Sequence, residues 1–308
     1  MLFPQDDRLP GLGYVVRMPP PADIWQLRGR FLTLDRPLVM GIVNVTPDSF
    51  SDGGQFFSPG AALAHAARLL AEGADMLDVG GESTRPQGAE PVSTTEELRR
   101  VLPVIRTLAT EHPDLVLSVD TVKASVAEAA LHAGAHIVND VSGLRLDPAM
   151  ASVCAAAGAG VVVMHSRGGV ADMATYQHAD YGGNFLDTML DELQQRVREV
   201  LRAGVARECI AVDPGIGFAK RPEHSLRALA CLERLTAWGY PVLVGASRKR
   251  FIGHLTGESR PAYRTYGSVG AAVAAYDRGA SIVRVHEVAP TRAALDVAAA
   301  IRAAGEAP

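Results

Sequence analysis

The stretch PLVMGIVNVTPDSFSDGG, residues 37–54, begins as a buried strand and continues as a segment that a buried strand could not contain. Apolar and β-branched residues run to Val45, and polar residues, one aromatic ring and two glycines follow. The polar segment is either a solvated turn or a loop over an active site. A strand that leads through a loop into a helix is the repeating unit of α/β folds.

The same transition recurs along the chain. Seven further strand-like runs lie at residues 75–81, 115–121, 136–143, 160–168, 209–217, 241–247 and 281–288, and helical patterns separate them. Eight strand-then-helix units in about 270 residues predict an α/β protein with a (β/α)8 TIM barrel. A doubly wound open sheet is the structural alternative.

The barrel is predicted to be a single domain over residues 31–308, and residues 1–30 are expected to form a short, irregular amino-terminal arm. The segment RFLTLD, residues 30–35, could be a small strand that covers the bottom of the barrel. A chain of 308 residues with 48% hydrophobic residues is long enough to bury a large core.

The composition argues against several classes of function. The net charge of −4 gives no basic field for a nucleic-acid partner. No apolar run approaches the ~18 residues that span a bilayer, and the first 30 residues lack the apolar centre of a signal peptide. Three widely spaced cysteines fit a reducing compartment. We therefore expect a cytoplasmic protein that binds neither nucleic acid nor membrane.

Polar residues stand where nearly every predicted strand ends, and a barrel of this kind has its active site there. They include Asn44, Asp78, Asp120, Asn139, Asp140, His165, Asp213, Ser247, Lys249, Arg284 and His286. Any one of them could be a helix cap or a loop hydrogen bond. That interpretation is favoured for Asp78 and Asp140, and His165 is expected to have a backbone partner. The whole set, gathered on one face, predicts an active site.

The last strand gives the sharpest expectation. Its period-two alternation sends Arg284 and His286 into the barrel mouth and the flanking valines towards the helices. An inward guanidinium without an anion would be costly, so Arg284 needs a partner. Asp48, Glu82 or a phosphate of the substrate could supply that negative charge.

The strand-end residues fall into two groups. The first group suits a flat, nitrogen-rich heterocycle, because it offers both acceptors and donors. Its members are Asp120, Asn139, Asp213 and Lys249. The second group suits a phosphate, directly or through Mg²⁺ on an amide oxygen. Its members are Asn44 as the metal ligand, Arg85, Arg284 and His286. The two groups together predict nucleotide-like or pterin chemistry.

Seven motifs stand in a fixed order along the chain. They are MGIVNVTPDSFSDGG (40–54), GGESTRP (80–86), SVDT (118–121), IVNDV (137–141), DPGIGFAK (213–220), GASRKRFIG (245–253) and RVHEV (284–288). This set resembles the dihydropteroate synthase family, and seven ordered motifs make the resemblance specific. Two small departures, Ala219 in place of the usual glycine and Ser166 in place of a common methionine, concern the edge of the heterocycle site.

The resemblance implies a TIM barrel, usually homodimeric, that acts in folate biosynthesis and is a target of sulfonamides. It implies condensation of 6-hydroxymethyl-7,8-dihydropterin diphosphate with 4-aminobenzoate, giving 7,8-dihydropteroate and pyrophosphate, with Mg²⁺ as cofactor. The small-residue segment GSVGAAVAAY, residues 267–276, would then allow close approach across a dimer interface.

The resemblance also implies roles for individual residues. Asp120, Asn139, Asp213 and Lys249 would hold the pterin, and Asn44, Arg85, Arg284 and His286 would hold the diphosphate with Mg²⁺. Phe50, Thr84, Pro86, Phe218 and Ser247 would shape the 4-aminobenzoate pocket. The catalytic set would be Asp48, Asp120, Lys249, Arg284 and His286, with Asp48 taking the amine proton or orienting Mg²⁺.

Two other functions are open at this point. A pterin-binding methyltransferase-type barrel would share the heterocycle group, but it has no use for a phosphate clamp of Arg284 and His286. A catalytically idle paralogue that binds a ligand would keep the fold without turnover. Metal-linked binding of the pterin diphosphate and release of pyrophosphate distinguish the synthase from both.

Overall fold

The computed structural model describes residues 23–46, 59–82 and 92–306. The strands in this part of the chain are β1 (Ile24–Leu27), β2 (Arg30–Thr33), β3 (Leu38–Asn44), β4 (Met76–Gly80), β5 (Val116–Asp120), β6 (Ile137–Asp140), β7 (Gly160–Met164), β8 (Ile210–Asp213), β9 (Leu243–Val244) and β10 (Ile282–Val285). Strands β3 to β10 form one parallel sheet in the order β8-β7-β6-β5-β4-β3-β10-β9. A bridge between Val212 and Val242 joins its two edges, so the predicted barrel is confirmed and the open sheet is excluded.

Helices surround the sheet. Those in the described residues are α1 (Pro59–Ala71), α2 (Thr94–Glu111), α3 (Ala124–His132), α4 (Met150–Ala157), α5 (Phe185–Arg202), α6 (Pro222–Ala230), α7 (Glu233–Thr236), α8 (Arg250–Thr256), α9 (Thr265–Asp277) and α10 (Val288–Glu306). Gly158 and Gly257 end α4 and α8 at φ angles of 59° and 74°, the left-handed conformation that glycine allows without strain. In the part of the chain that the structure covers, no helix has the length and apolarity to span a bilayer.

The barrel interior has an apolar lower half and a polar upper half. Met40, Met76, Val116, Ile137, Val162, Ala211, Leu243 and Ile282 pack together in the lower half. Because side chains alternate across a strand, the residues two positions later point inward as well. These positions bring Asp78, Ser118, Asn139, Asp213 and Arg284 into the upper half. In the described strands, the sequence pattern thus places polar groups at the carboxyl ends and apolar residues beneath them.

An antiparallel hairpin of β1 and β2 covers the amino-terminal end of the barrel. Trp25 and Leu27 are buried against the apolar lower layer, and Trp25 Nε1 donates to the carbonyl oxygen of Cys209 at 2.9 Å. The small strand predicted within residues 30–35 is therefore confirmed. The irregular arm predicted for residues 1–30 is wrong at its end, because the alternation of Trp25 and Leu27 makes a strand there. Residues 1–22 lie outside the described residues.

Candidate active site

A network of charged side chains spans the upper half of the barrel. Arg284 donates from Nε to Asp78 Oδ2 at 2.6 Å and from Nη2 to Asp120 Oδ2 at 2.7 Å. Asn139 donates from Nδ2 to the same oxygen of Asp78 at 2.9 Å. The flanking valines of β10 pack in the layer between sheet and helices. The predicted inward direction of Arg284 is thus confirmed, and its guanidinium bridges strands β4, β5 and β10.

The expected partners of Arg284 need correction. Glu82 pairs instead with Lys123, whose Nζ lies 2.7 Å from Glu82 Oε2. Asp48 lies outside the described residues. Asp78 is wholly buried and carries the charge that Arg284 requires, so it is more than a loop cap. Sequence alternation shows that Arg284 points inward but not which strand faces it across the barrel.

Burial raises the pKa of two carboxylates in the upper half of the barrel, Asp120 and Asp213. It raises the pKa of Asp120 to about 7, against the opposing effect of Arg284. It raises the pKa of Asp213 to about 6, although the Gly215 N–H donates to Asp213 Oδ1 at 2.7 Å. Both groups can therefore change protonation near physiological pH, and each accepts N–H donors from a heterocycle in its ionised form.

Lys249 lies at the start of α8, near the charges of Arg284, Asp213 and Asp120. Its Nζ lies 4.0 Å from the centre of the Phe218 ring, and burial lowers its pKa to about 8. The Phe218 ring belongs to an apolar wall with Val122, Val141, Met164, Met173 and Ala174. The structure thus groups Phe218 with Lys249 and the predicted heterocycle residues. A flat wall beside an ammonium and two carboxylates suits a flat, polar-edged ring.

Ser247 contacts His286. Its Oγ lies 2.9 Å from His286 Nδ1 and accepts the His286 backbone N–H at 3.2 Å. Glu287 Oε2 also lies 3.3 Å from this hydroxyl. Ser247 therefore lies with the residues that are predicted to bind a phosphate. Its hydroxyl fixes the orientation of the His286 imidazole.

Asn44 ends β3 opposite Gly80 of β4 and is half-buried at the rim. Among the described residues no group of three or more His, Cys, Asp or Glu could hold a metal. A lone amide oxygen still fits Mg²⁺, which commonly takes one or two protein ligands and completes its shell with substrate phosphates and water. The other predicted site residues, Phe50, Thr84, Arg85 and Pro86, lie outside the described residues, as Asp48 does.

His165 differs from the sequence expectation. Its ring is bound by two side chains and not by the backbone, since Nδ1 lies 2.7 Å from Lys220 Nζ and Nε2 lies 3.0 Å from Glu192 Oε2. Asp140 keeps its expected structural role, because its Oδ1 accepts the Ser142 N–H at 2.7 Å. Neither side chain joins the network around Arg284.

Two lysines at the rim escaped the sequence prediction. Lys123 joins Glu82 and Glu97, and Glu82 also accepts the N–H of Val92 at 2.8 Å. This contact ties together the two described ends of the 80–92 connection. Lys220 is buried beside His165. The composition could have pointed to these two lysines. Only three of the 30 Lys and Arg residues are lysine, and each of the three follows a barrel strand.

A parallel eight-stranded barrel with buried carboxylates, a guanidinium and an ammonium at its carboxyl end defines a TIM-barrel enzyme. The model of the pterin binding enzyme family matches residues 40–286. The dihydropteroate synthase of Bacillus subtilis (strain 168) is 45% identical over 254 residues, which are 82% of this chain and 85% of the relative. The chain therefore belongs to the dihydropteroate synthase family of pterin-binding enzymes, which are transferases.

Solved structures agree with this assignment. The dihydropteroate synthase of Xanthomonas albilineans with 4-aminobenzoic acid superposes with a TM-score of 0.84 at 46% identity, covering 93% of this chain and 100% of that chain. The Yersinia pestis dihydropteroate synthase in complex with a sulfonamide drug superposes with a TM-score of 0.83 at 43% identity, covering 91% and 99%.

Proposed function

We propose that the protein condenses 6-hydroxymethyl-7,8-dihydropterin diphosphate with 4-aminobenzoate, giving 7,8-dihydropteroate and pyrophosphate in folate biosynthesis. The observation that carries this proposal is the bridge from Arg284 to Asp78 and Asp120 inside the barrel mouth. This bridge holds a cation next to two carboxylates, an arrangement that suits a reaction in which a diphosphate leaves a ring that becomes positively charged. The kinship with dihydropteroate synthases supports the same chemistry.

The first group of strand-end residues, which suits a flat heterocycle, would bind the pterin. Asp213 and Asn139 accept or share hydrogen bonds with its amino-pyrimidinone edge, and Lys249 donates to a ring acceptor. As the bond from the exocyclic CH₂ to the diphosphate oxygen lengthens, positive charge spreads into the dihydropterin ring. Asp120 and Asp213 stabilise that charge, because fixed anions act strongly in a partly dry site. The amine of 4-aminobenzoate then forms the new C–N bond as the C–O bond to the diphosphate breaks, and its proton passes to Asp48, a role that rests on the resemblance alone.

The second group of strand-end residues, which suits a phosphate, would hold the leaving diphosphate. Asp78 and Asp120 hold the Arg284 guanidinium in place. Its remaining N–H groups can therefore bind the negative charge of the leaving diphosphate without a rearrangement of the side chain. His286, oriented by Ser247, donates to the same group. Mg²⁺ held by Asn44 would neutralise part of the diphosphate charge when bound. The proposed contacts of Arg85 with the diphosphate, and of Phe50, Thr84 and Pro86 with 4-aminobenzoate, rest on the resemblance alone.

Two assays test this function. Calorimetry with the pterin diphosphate is expected to show binding that is tighter with Mg²⁺ than with a chelator. Pyrophosphate is expected to appear only after 4-aminobenzoate is added, in step with dihydropteroate. Binding without turnover would favour the idle paralogue, and transfer of a methyl group would favour the methyltransferase-type barrel.

We also propose a homodimer that works in the cytoplasm. Several large apolar side chains are exposed on α8, α9 and α10 and in the segment between α8 and α9, namely Leu255, Tyr263, Tyr266, Val297 and Ile301. Exposed apolar surface of this kind marks interaction sites, and Tyr266 is 91% exposed. The free thiols of Cys154, Cys209 and Cys231 fit a reducing compartment. Light scattering at micromolar concentration is expected to give twice the chain mass, and the mass of one chain would contradict the dimer.

A further inference from the structure

Lys220 is one of only three lysines in a chain that otherwise uses arginine for its cations. It is 1% exposed, and among the described residues it forms no ion pair with a carboxylate. A buried ammonium is costly unless its N–H groups find acceptors. The position of such a group is therefore set by the atoms that accept from it.

Three atoms surround the Lys220 ammonium. They are Nδ1 of His165 at 2.7 Å, the carbonyl oxygen of His165 at 3.3 Å and the carbonyl oxygen of Phe218 at 3.1 Å. An ammonium has three N–H groups, so donors and acceptors match in number. These contacts join the end of β7 to the 214–219 loop that follows β8.

The imidazole of His165 continues the chain of hydrogen bonds outward. Its Nδ1 accepts from Lys220, so Nε2 carries the hydrogen and donates to Glu192 Oε2 at 3.0 Å. Glu192 also accepts from Arg167 Nε at 2.9 Å and is held at the surface by it. His165 is therefore fixed from both sides and offers Lys220 a rigid acceptor.

The 214–219 loop lies in close contact on two sides. A Cβ added at Gly215 would stand 1.9 Å from the carbonyl oxygen of His165, so the loop backbone rests directly on β7. On the other side, a Cβ added at Gly217 would stand 3.1 Å from Lys249 Cδ, and the Phe218 ring lies under Lys249 Nζ. A shift of the Phe218 backbone would therefore move the surface against which Lys249 packs.

We propose that Lys220 is a positioning residue for the pterin site: its ammonium holds the 214–219 loop so that the Phe218 ring supports the Lys249 ammonium. The inference rests on the proposed function, since Lys249 is the proposed pterin donor. Lysine suits this place because its donors converge from one small nitrogen, whereas the planar fork of arginine spreads five donors over a larger volume. Lys220 touches no substrate in this scheme and acts through Phe218.

The scarcity of lysine gives a direct test by NMR. In protein labelled with ¹³C-lysine, three Cε signals are expected, and the Lys123→Met, Lys220→Met and Lys249→Met variants each remove one and so assign it. The Lys249 signal is expected to be displaced by the ring current of Phe218, and Phe218→Leu should abolish the displacement. Lys220→Met should reduce the displacement to less than about half, while the matched control Lys123→Met should leave it unchanged.

Kinetics give the second readout. Lys220→Met should raise the KM for the pterin diphosphate about tenfold, the worth of one well-placed hydrogen bond, and lower kcat less. Glu192→Gln, which keeps an acceptor for His165, should leave both values close to those of the wild type. Lys220→Arg should behave like Lys220→Met, and it replaces that variant if the latter does not fold.

A Lys249 signal that keeps its displacement in the Lys220 variants would overturn the inference, whatever the kinetics. A wild-type protein that releases no pyrophosphate would overturn the proposed function instead, and the NMR result would still decide whether Lys220 positions Phe218 and Lys249. The two failures are therefore distinguishable.

Discussion

Replacing Arg284 with methionine is expected to lower kcat about 10³-fold, because the variant loses the fixed cation that meets the departing diphosphate. The same change should reduce the free energy of unfolding by about 3 kcal/mol, since it leaves the buried Asp78 and the neighbouring Asp120 without their common partner. A pyrophosphate-release assay measures the first effect, and urea unfolding followed by circular dichroism measures the second.

A double variant separates the two effects of losing Arg284. Asp78→Asn combined with Arg284→Met removes the buried charge together with its partner, while the amide can still accept from Asn139. The double variant should regain much of the lost stability and none of the lost turnover. Turnover close to the wild-type value in either variant would remove Arg284 from its proposed role.

Replacing Asp213 with asparagine should have opposite effects on stability and on binding. Folding raises the pKa of Asp213 from 3.8 to about 6 through burial, so the ionised carboxylate destabilises the fold. The favourable contribution of this group is complete below its unfolded pKa and is lost as pH rises through about 6. Asparagine does not ionise, so the variant should gain about 2 kcal/mol of unfolding free energy at pH 8. The gain should vanish near pH 3.

The loss of binding in the Asp213→Asn variant should amount to about 1–3 kcal/mol, because an amide presents a donor where the pterin edge needs an acceptor. Asp140→Asn is the matched control. Burial raises the pKa of Asp140 to about 6 as well, but its carboxylate binds the Ser142 N–H away from the network. The control should show the same pH-dependent gain and unchanged pterin affinity in calorimetry. Unaltered pterin affinity in the Asp213 variant would contradict its assignment to the heterocycle group.

The sequence predicts most of the barrel because its signals are local. The valines that flank Arg284 indicate its inward direction within one strand, and glycines mark helix ends. The β1–β2 hairpin is harder to predict, because Trp25 and Leu27 offer only two alternating apolar residues next to a polar arm. Their burial depends on the barrel bottom, which comes later in the chain.

The partners of the site residues depend on closure of the sheet. Asp78 and Arg284 are 206 positions apart in the sequence, and only the register of β4, β3 and β10 brings them within 2.6 Å. His165 likewise meets Lys220 and Glu192 through contacts between separate loops and helices. Sequence patterns give the direction of each side chain, but the length and twist of intervening elements decide which charges meet.

The indole of Trp25 and the apolar layer above it determine how substrates enter the barrel and how products leave it. In the residues that the structure describes, they close the barrel at its amino-terminal end, so ligands reach its polar upper half from the opposite rim. Substrates enter and products leave through this same rim. The ligand that binds deepest in the barrel therefore has to bind before its co-substrate. It can dissociate only after any ligand nearer the rim has left.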